Sequence, residues 1–343
     1  MNSRLTELYM KSVLIIGAGI TGLLAAQDLL RYGFNVTILD KGRGLGGRIA
    51  TRRLSVDERS GKADHGAQYI TAYSPRFEAL ISEMTTKNIV QPWENALHKK
   101  HLTNHTRYIA PEGMTSVAKY LATGINTHLN KRATMLKHNG ELWTVYTDAE
   151  TFSADALLIT APIPQALMLL DTLPEKALVE EEYQRLSAVQ YTPCIALMLA
   201  LHDEYSSQIS TSTMKFEDDS VITWIADNRE KGVITDIPTI TVHTSPQFAQ
   251  KHWETKEEDL ITLLFAEIGN YFSPTTIQAY SLHRWRYSRV IEPYPALFFH
   301  AQHSPLPLVL AGDGFAETTP LLTRIEDAAL SGWAAAEYLC NLA

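Results

Sequence analysis

Cysteine is nearly absent: Cys194 and Cys340 are the only two in 343 residues. Two thiols cannot build a disulfide framework or a four-ligand zinc cage. The absence of a Cys-x-x-Cys pair counts against thioredoxin-reductase chemistry. Both sit in apolar stretches, where a thiol behaves as a small buried hydrophobe. No uninterrupted apolar run approaches the roughly 20 residues that a membrane helix needs. Residues 1–11 lack the apolar core of a secretory leader and run straight into the first strand, so a cytoplasmic protein with a short tail and no membrane partner is expected. Positive charge is in deficit. Lys and Arg number 30 against 38 Asp and Glu, a formal net charge of −8, which argues against nucleic acid as a partner. The 12 histidines, His98, His101 and His105 among them, show no metal-binding spacing on a helix face, and no metal site is expected. The remaining composition, 45% hydrophobic and 20% charged, supplies cores for two domains or for one interrupted by another.

Glycine, by contrast, is placed with purpose. Val13–Ile16 reads as a buried strand, and Gly17-Ala18-Gly19-Ile20-Thr21-Gly22 opens a helix-like stretch to Arg31. A second strand, Val36–Leu39, ends at Asp40. Strand, Gly-x-Gly-x-x-Gly, helix, strand and acid in this register make a dinucleotide site. Gly17 permits the tight turn, Gly19 lets backbone approach a pyrophosphate, and Gly22 lets helix pack on strand. Helix amides then face the phosphates, with Thr21 among them, and Asp40 can accept from ribose hydroxyls. The next run, Lys41 to Arg48, holds Gly42, Gly44, Gly46 and Gly47. No helical pattern follows it, so it reads as a loop passing the pyrophosphate rather than a second fingerprint. Lys41, Arg43 and Arg48 would neutralise charge there, an arginine fork binding phosphate oxygens in pairs.

Further along, Lys131–Lys137 and Glu141–Thr147 flank Asn139-Gly140, a strong hairpin signal. Buried strands are expected at 156–162, 194–201 and 308–313, others at 221–226, 239–243 and 277–285, and helices at 74–84, 111–121, within 164–186, at 257–272 and at 325–339. Each of Trp224, His243, Trp285 and Tyr294 could line a pocket for a flat ring. No internal repeat or low-complexity segment is present.

Asp40-Lys41, Arg43-Gly44, Gly46-Gly47-Arg48 and Asp64-His65-Gly66-Ala67-Gln68-Tyr69 together resemble the flavoproteins of the amine-oxidase superfamily. His283–Tyr287, Leu310–Asp313 and Arg324–Gly332 narrow the resemblance to renalase and its bacterial relatives, and extend it over nearly the whole chain. The segment Gly314–Pro320 is longer than that pattern, which implies a differently shaped loop near the flavin. The resemblance implies an α/β fold: a Rossmann-type FAD domain (1–75, 109–163 and 305–343) and a mixed-sheet substrate domain (76–108 and 164–304). It implies non-covalent FAD, with Ala67, Gln68, Asp313 and Ile325 joining the glycine motif as cofactor-binding residues. Gln68, Tyr69, Ile70, Thr71, Ala72, His243, Trp285 and Arg324 would meet the substrate. The implied reaction oxidises 2- or 6-dihydro-NAD(P) by hydride transfer to flavin N5, with dioxygen as second substrate and hydrogen peroxide as product. No catalytic side chain is needed. An amine oxidase, which would use an aromatic cage and often a lysine-water relay, is the alternative; a flavin-binding protein without turnover is another. Oligomeric state is left open.

Overall fold

The structure, a computed structural model, describes residues 12–93, 105–204, 213–216, 220–317 and 324–343. Expectations for residues 1–11, for His98 and His101, and for the end of the 314–320 loop lie outside the described residues.

Ser12–Ile16 is an inner strand of a six-stranded sheet. The order is Phe298–His300, Leu308–Ala311, Ala156–Ile159, Ser12–Ile16, Asn35–Leu39, Asn126–His128. All neighbours run parallel except Phe298–His300, which is antiparallel at one edge. Covered on both faces, the central strands Leu308–Ala311 and Ala156–Ile159 are apolar throughout, and Ser12–Ile16 is apolar after Ser12, as parallel strands buried on both faces tend to be. Val13 and Ile15 face one core and Leu14 the other. On the first face, helices Ile20–Arg31 and Ile325–Asn341 lie in direct contact. A Cβ on Gly332 would stand 2.4 Å from the Thr21 carbonyl oxygen, and Thr21 Oγ1 donates to the Ala328 carbonyl at 2.8 Å. The opposite face is covered by helix Ile163–Leu170 and a three-stranded sheet of 133–138, 143–147 and 151–154. Its expected hairpin forms: Asn139 Oδ1 accepts the Glu141 and Leu142 amides at 2.9 and 2.8 Å, and Gly140 takes φ +90°.

A second, antiparallel sheet has the order Thr213–Lys215, Ile222–Asp227, Thr239–Thr244, Gln190–Leu201, Ile277–Glu292. In Gln190–Leu201 the odd residues Ile195, Leu197 and Leu199 pack on helix Glu257–Ile268. The even residues Met198 and Ala200 meet Leu54 and Ala63 of the two-stranded ribbon Thr51–Val56 and Arg59–Asp64. Two buried faces explain the unbroken apolar run. Ribbon and sheet approach closely: a Cβ on Gly61 would lie 2.4 Å from Thr239 Cγ2. The ribbon therefore carries the chain from the glycine loop to the second sheet and delivers residues 64–68 to the junction.

Two segments expected in the substrate domain pack with the first layer. Helix Pro75–Thr86 buries Phe77, Ile81 and Met84 in the core shared with Ile20–Arg31, and Phe298–His300 is that layer's edge strand. Among the described residues no helix is long and apolar enough to cross a membrane.

Candidate flavin and substrate site

The three fingerprint glycines answer three different demands. Gly17 has φ +120°, and a Cβ there would lie 2.4 Å from Thr160 Oγ1. A Cβ on Gly22 would strike the Gly17 carbonyl oxygen at 2.1 Å. Around Gly19, no protein atom lies within 4 Å of where a Cβ would be. The outer two shape the turn, while the middle one leaves a cradle over the helix start. Gly19 is also the N-cap and offers no side chain to the first-turn amides, which suits them to phosphate oxygens. The glycine loop lies across this cradle: Gly46 N donates to Ala18 O at 2.9 Å, and a Cβ on Gly47 would be 3.7 Å from Gly19 Cα. Asp40 sits at its rim, accepting from Ala18 N at 2.7 Å and Gly42 N at 2.6 Å. Thr21 can contribute only its backbone, because its hydroxyl is committed to Ala328. Lys41 reaches Gln165 Oε1 at 2.9 Å, its pKa lowered by desolvation and then by Arg132. Arg43 is exposed. These residues fit a bound dinucleotide.

Arg48 and Asp313 were each expected to face the cofactor; the structure pairs them with each other. The guanidinium makes two parallel bonds to the carboxylate, at 2.5 and 2.6 Å, and a third to the Tyr287 carbonyl at 3.2 Å. A buried carboxylate such as Asp313 needs such a partner. Burial opposes the charge on Arg48, but Asp313 outweighs it and the Arg48 pKa is raised. Burial, then the Asp313 charge, raises the pKa of neighbouring Tyr191.

At the ribbon's end, Asp64 and Lys231 form an ion pair at 2.9 Å with both side chains fully buried. Asp64 Oδ1 also accepts from Thr51 Oγ1 at 2.7 Å and Met114 N at 2.8 Å. Lys231 closes the one-turn helix Asn228–Lys231 and donates further to the Gln68 carbonyl and Oε1, both at 3.3 Å. Gln68 Nε2 donates to the carbonyls of Asp64 and Gly66 at 2.6 and 3.0 Å. The Gln68 amide thus holds the loop together rather than facing a ligand, a correction to the expectation. Lys231 escaped sequence reasoning. Its only signal was an Asp227 cap and a Gly232 stop around so short a polar run. Ala67 remains half-buried, its amide donating to the Arg48 carbonyl at 2.9 Å.

His243 and Trp285, both expected at the substrate, converge on a single backbone atom. His243 Nε2 lies 3.1 Å from the His65 carbonyl oxygen, and Trp285 Nε1 donates to the same oxygen at 2.9 Å. Trp285 stacks on the His65 imidazole (5.2 Å, 18° between planes), and His283 packs edge-on to both. Register explains the meeting. His243 and His283 both pair with Ala196, and Trp285 pairs with Cys194, two residues along the same face. Burial is the main cause that lowers the pKa of His65 to about 3 and of His243 and His283 to about 4. The cluster is neutral near pH 7. His65 and His283 were missed because a histidine is silent in sequence until its neighbours are known.

Beyond Gln68 the chain is extended. Ile70 pairs with Tyr108 and buries its side chain with Ala72 against the first core, so Ile70 does not line a pocket. Tyr69 and Thr71 are half-buried; the Tyr69 ring lies 6.0 Å from Trp93 and 6.1 Å from Trp224. Arg324 precedes helix Ile325–Asn341, its amide donating to Asp327 Oδ2 at 2.7 Å, and Ile325 opens that helix half-buried. Tyr294 belongs elsewhere, packed with Phe299 and Phe315 beneath Arg185.

Known proteins fit this geometry. Residues 15–84 match the NAD(P)-binding Rossmann-like domain, and residues 96–340 match the flavin containing amine oxidoreductases. The structure resembles cyclohexylamine oxidase from Brevibacterium oxydans IH-35A, with TM-score 0.67 and 13% identity over 97% of this chain and 99% of that one. It likewise resembles putrescine oxidase bound to putrescine, with TM-score 0.66 and 14% identity over 96% and 98%. At such identities the likeness concerns the fold alone. Shorter sequence matches include the L-glutamate oxidase precursor of Streptomyces diastatochromogenes, 36% identical over 80 residues, which are 22% of this chain and 12% of that protein. Protein FLOWERING LOCUS D of Arabidopsis thaliana is 42% identical over 60 residues, 18% of this chain and 8% of that protein. The chain therefore aligns with only a small part of these relatives' length. With the second family match spanning most of the sequence, on an α/β fold that presents a dinucleotide cradle, the chain belongs to the flavin-containing amine oxidoreductase family and uses FAD.

Proposed function

We propose that the protein oxidises NAD(P) reduced at the 2- or 6-position of the nicotinamide, returning NAD(P)+. Bound without a covalent link, FAD would supply the hydride acceptor at N5; the two electrons and one proton of that hydride, with a second proton from water, would then reduce dioxygen to hydrogen peroxide. The chain's own residues bind and orient. The Gly17–Gly22 turn and its helix amides hold the pyrophosphate, and Asp40 stands ready for a ribose hydroxyl pair. His243 and Trp285, fixed on one carbonyl, give a flat, uncharged wall against which a nicotinamide-like ring can be held. Loss of hydride from a dihydronicotinamide leaves an aromatic cation and releases no proton, so neutral histidines suffice. The observation that carries this reading is the convergence of His243 and Trp285, from two strands, on the His65 carbonyl.

An amine oxidase remains the alternative, and Lys231 counts against its lysine-water relay. An ammonium has three N–H donors. Those of Lys231 have three acceptors at hand: Asp64 Oδ2, Gln68 O and Gln68 Oε1. The test is anaerobic stopped-flow of the yellow protein against 6-dihydro-NAD and, separately, a panel of primary amines. Bleaching of the flavin band by the dihydronicotinamide alone supports the proposal; bleaching by amines alone overturns it.

A further inference from the structure

Hydride transfer makes no use of a row of cations and tyrosines beside the junction. Ile70 and Ala72 point into the first core, so the alternation of an extended chain turns Tyr69, Thr71 and Tyr73 to the opposite face. The segment at Arg107 and Tyr108 runs antiparallel beside it, joined by reciprocal bonds of 2.8 Å between Ile70 and Tyr108. On the tyrosine face, the Arg107 guanidinium lies 4.9 Å from the centre of the Tyr69 ring, and the His105 ring lies 4.0 Å from that of Tyr73. Arg324 arrives from the other end of the sequence and sits 4.0 Å over Tyr73.

Neither arginine enters an ion pair among the described residues. The nearby acids are engaged with backbone: Asp327 accepts the Arg324 amide, and Glu326 Oε1 the Ser74 amide at 2.6 Å. Among the described residues, no carboxylate is therefore in hydrogen-bond contact with the edge of either guanidinium. A guanidinium flat on an aromatic ring keeps its N–H edge free for a phosphate. Tyr69 and Tyr73 are four residues apart, about 13 Å in extended chain. Charges strung over that span suit an elongated anion better than a single carboxylate, and they repel an ammonium.

We infer that Arg107 and Arg324, stacked on Tyr69 and Tyr73, form the subsite for the phosphate groups of the substrate. The enzyme then selects a phosphorylated dihydronicotinamide over the corresponding riboside. This specificity rests on the dihydronicotinamide reading above, and its test separates the two. Anaerobic flavin reduction is titrated with 6-dihydro-NAD and with 6-dihydronicotinamide riboside, in the wild type, Arg107→Gln and Arg324→Gln, each checked for an intact flavin spectrum. The wild type is expected to bind the dinucleotide at least about tenfold more tightly than the riboside, and each variant to lose most of that preference while its riboside affinity moves less than about twofold. Salt should weaken only the dinucleotide. Equal binding of both donors, or variants that keep the preference, overturns the subsite. If neither donor bleaches the flavin, the functional reading fails and inorganic pyrophosphate decides the subsite. Quenching of tryptophan fluorescence that Arg107→Gln abolishes supports it, and no response in the wild type overturns it.

Discussion

Replacing Lys231 by methionine while Asp64 stays in place is expected to destabilise the protein far more than loss of a surface charge would. Both side chains are fully buried. Without the ammonium at 2.9 Å, the Asp64 carboxylate keeps only the Thr51 hydroxyl and the Met114 amide. Removing one member of a buried pair costs about 3–5 kcal/mol, because an uncompensated charge is left in a dry interior. Asp64→Asn leaves the opposite orphan, an ammonium with the two Gln68 oxygens at 3.3 Å, and belongs in the same range. The double variant Lys231→Met/Asp64→Asn removes both charges at once, so its cost falls short of the sum of the singles by about 2–3 kcal/mol. Urea unfolding of the four proteins, followed by tryptophan fluorescence, measures all three quantities. Flavin release should precede unfolding in Lys231→Met, since Lys231 also holds Gln68 and with it the loop at the end of the ribbon. Single costs below about 1 kcal/mol, the ordinary worth of an exposed pair, or costs that simply add, would refute the picture of a dry lock between the two layers.

Gly19→Ser separates folding from cofactor binding. Serine is a better N-cap than glycine and its Cβ meets no protein atom within 4 Å, so stability should hold while the purified protein loses most of its FAD; a fully yellow variant contradicts the cradle. Arg48→Met strips Asp313 of its fork and should cost about 1.5–3 kcal/mol in a thermal melt, less than the Lys231 change because Arg48 is 30% exposed and water can take its place; a loss as large as that of Lys231→Met contradicts this ranking. Acidification should weaken the fold early. His65 and His243 have folded pKa values of about 3 and about 4 against 6.5 for the free side chain, so below pH 6.5 the unfolded chain binds protons that the folded one refuses. Stability is then level above pH 7 and falls as pH drops from 6.5 toward 4, by up to about 2.7 kcal/mol per unit from the two together. Urea midpoints that stay constant or rise between pH 7.5 and 5 would contradict neutral burial.

Local demands were legible in the sequence and distant meetings were not. Gly17 and Gly22 are required by a turn and a contact a few residues away, and Asn139-Gly140 by a hairpin closed on itself, so a short window contains the whole cause. Phe77, Ile81 and Met84 announce an apolar helix face, but nothing in their spacing says which core receives it. Lys231 lies in a polar run that reads as solvent-exposed, and its burial depends on Asp64, 167 residues away. Arg48 and Asp313 were assigned to one cofactor because a charge that meets a phosphate and a charge that meets a partner look the same in sequence. They are 265 residues apart.

The convergence of His243 and Trp285 was still harder to read, because the atom that joins them is the backbone carbonyl of His65, which no side-chain pattern can flag. It is set by register. Ala196 stands between His243 and His283, and Cys194 pairs with Trp285, so two small residues on the even face of the central strand leave room for large rings on its neighbours. That face is also the one on which Met198 and Ala200 meet the ribbon, which is why the rings find His65 at its end. A slip of one residue in either pairing would turn the corresponding rings toward helix Glu257–Ile268 instead. The apolar residues that pin the register, Leu197 and Leu199 on the helix side against Met198 and Ala200 on the ribbon side, therefore do more than fill two cores. Their alternation fixes which face of the sheet carries the His243–Trp285 cluster.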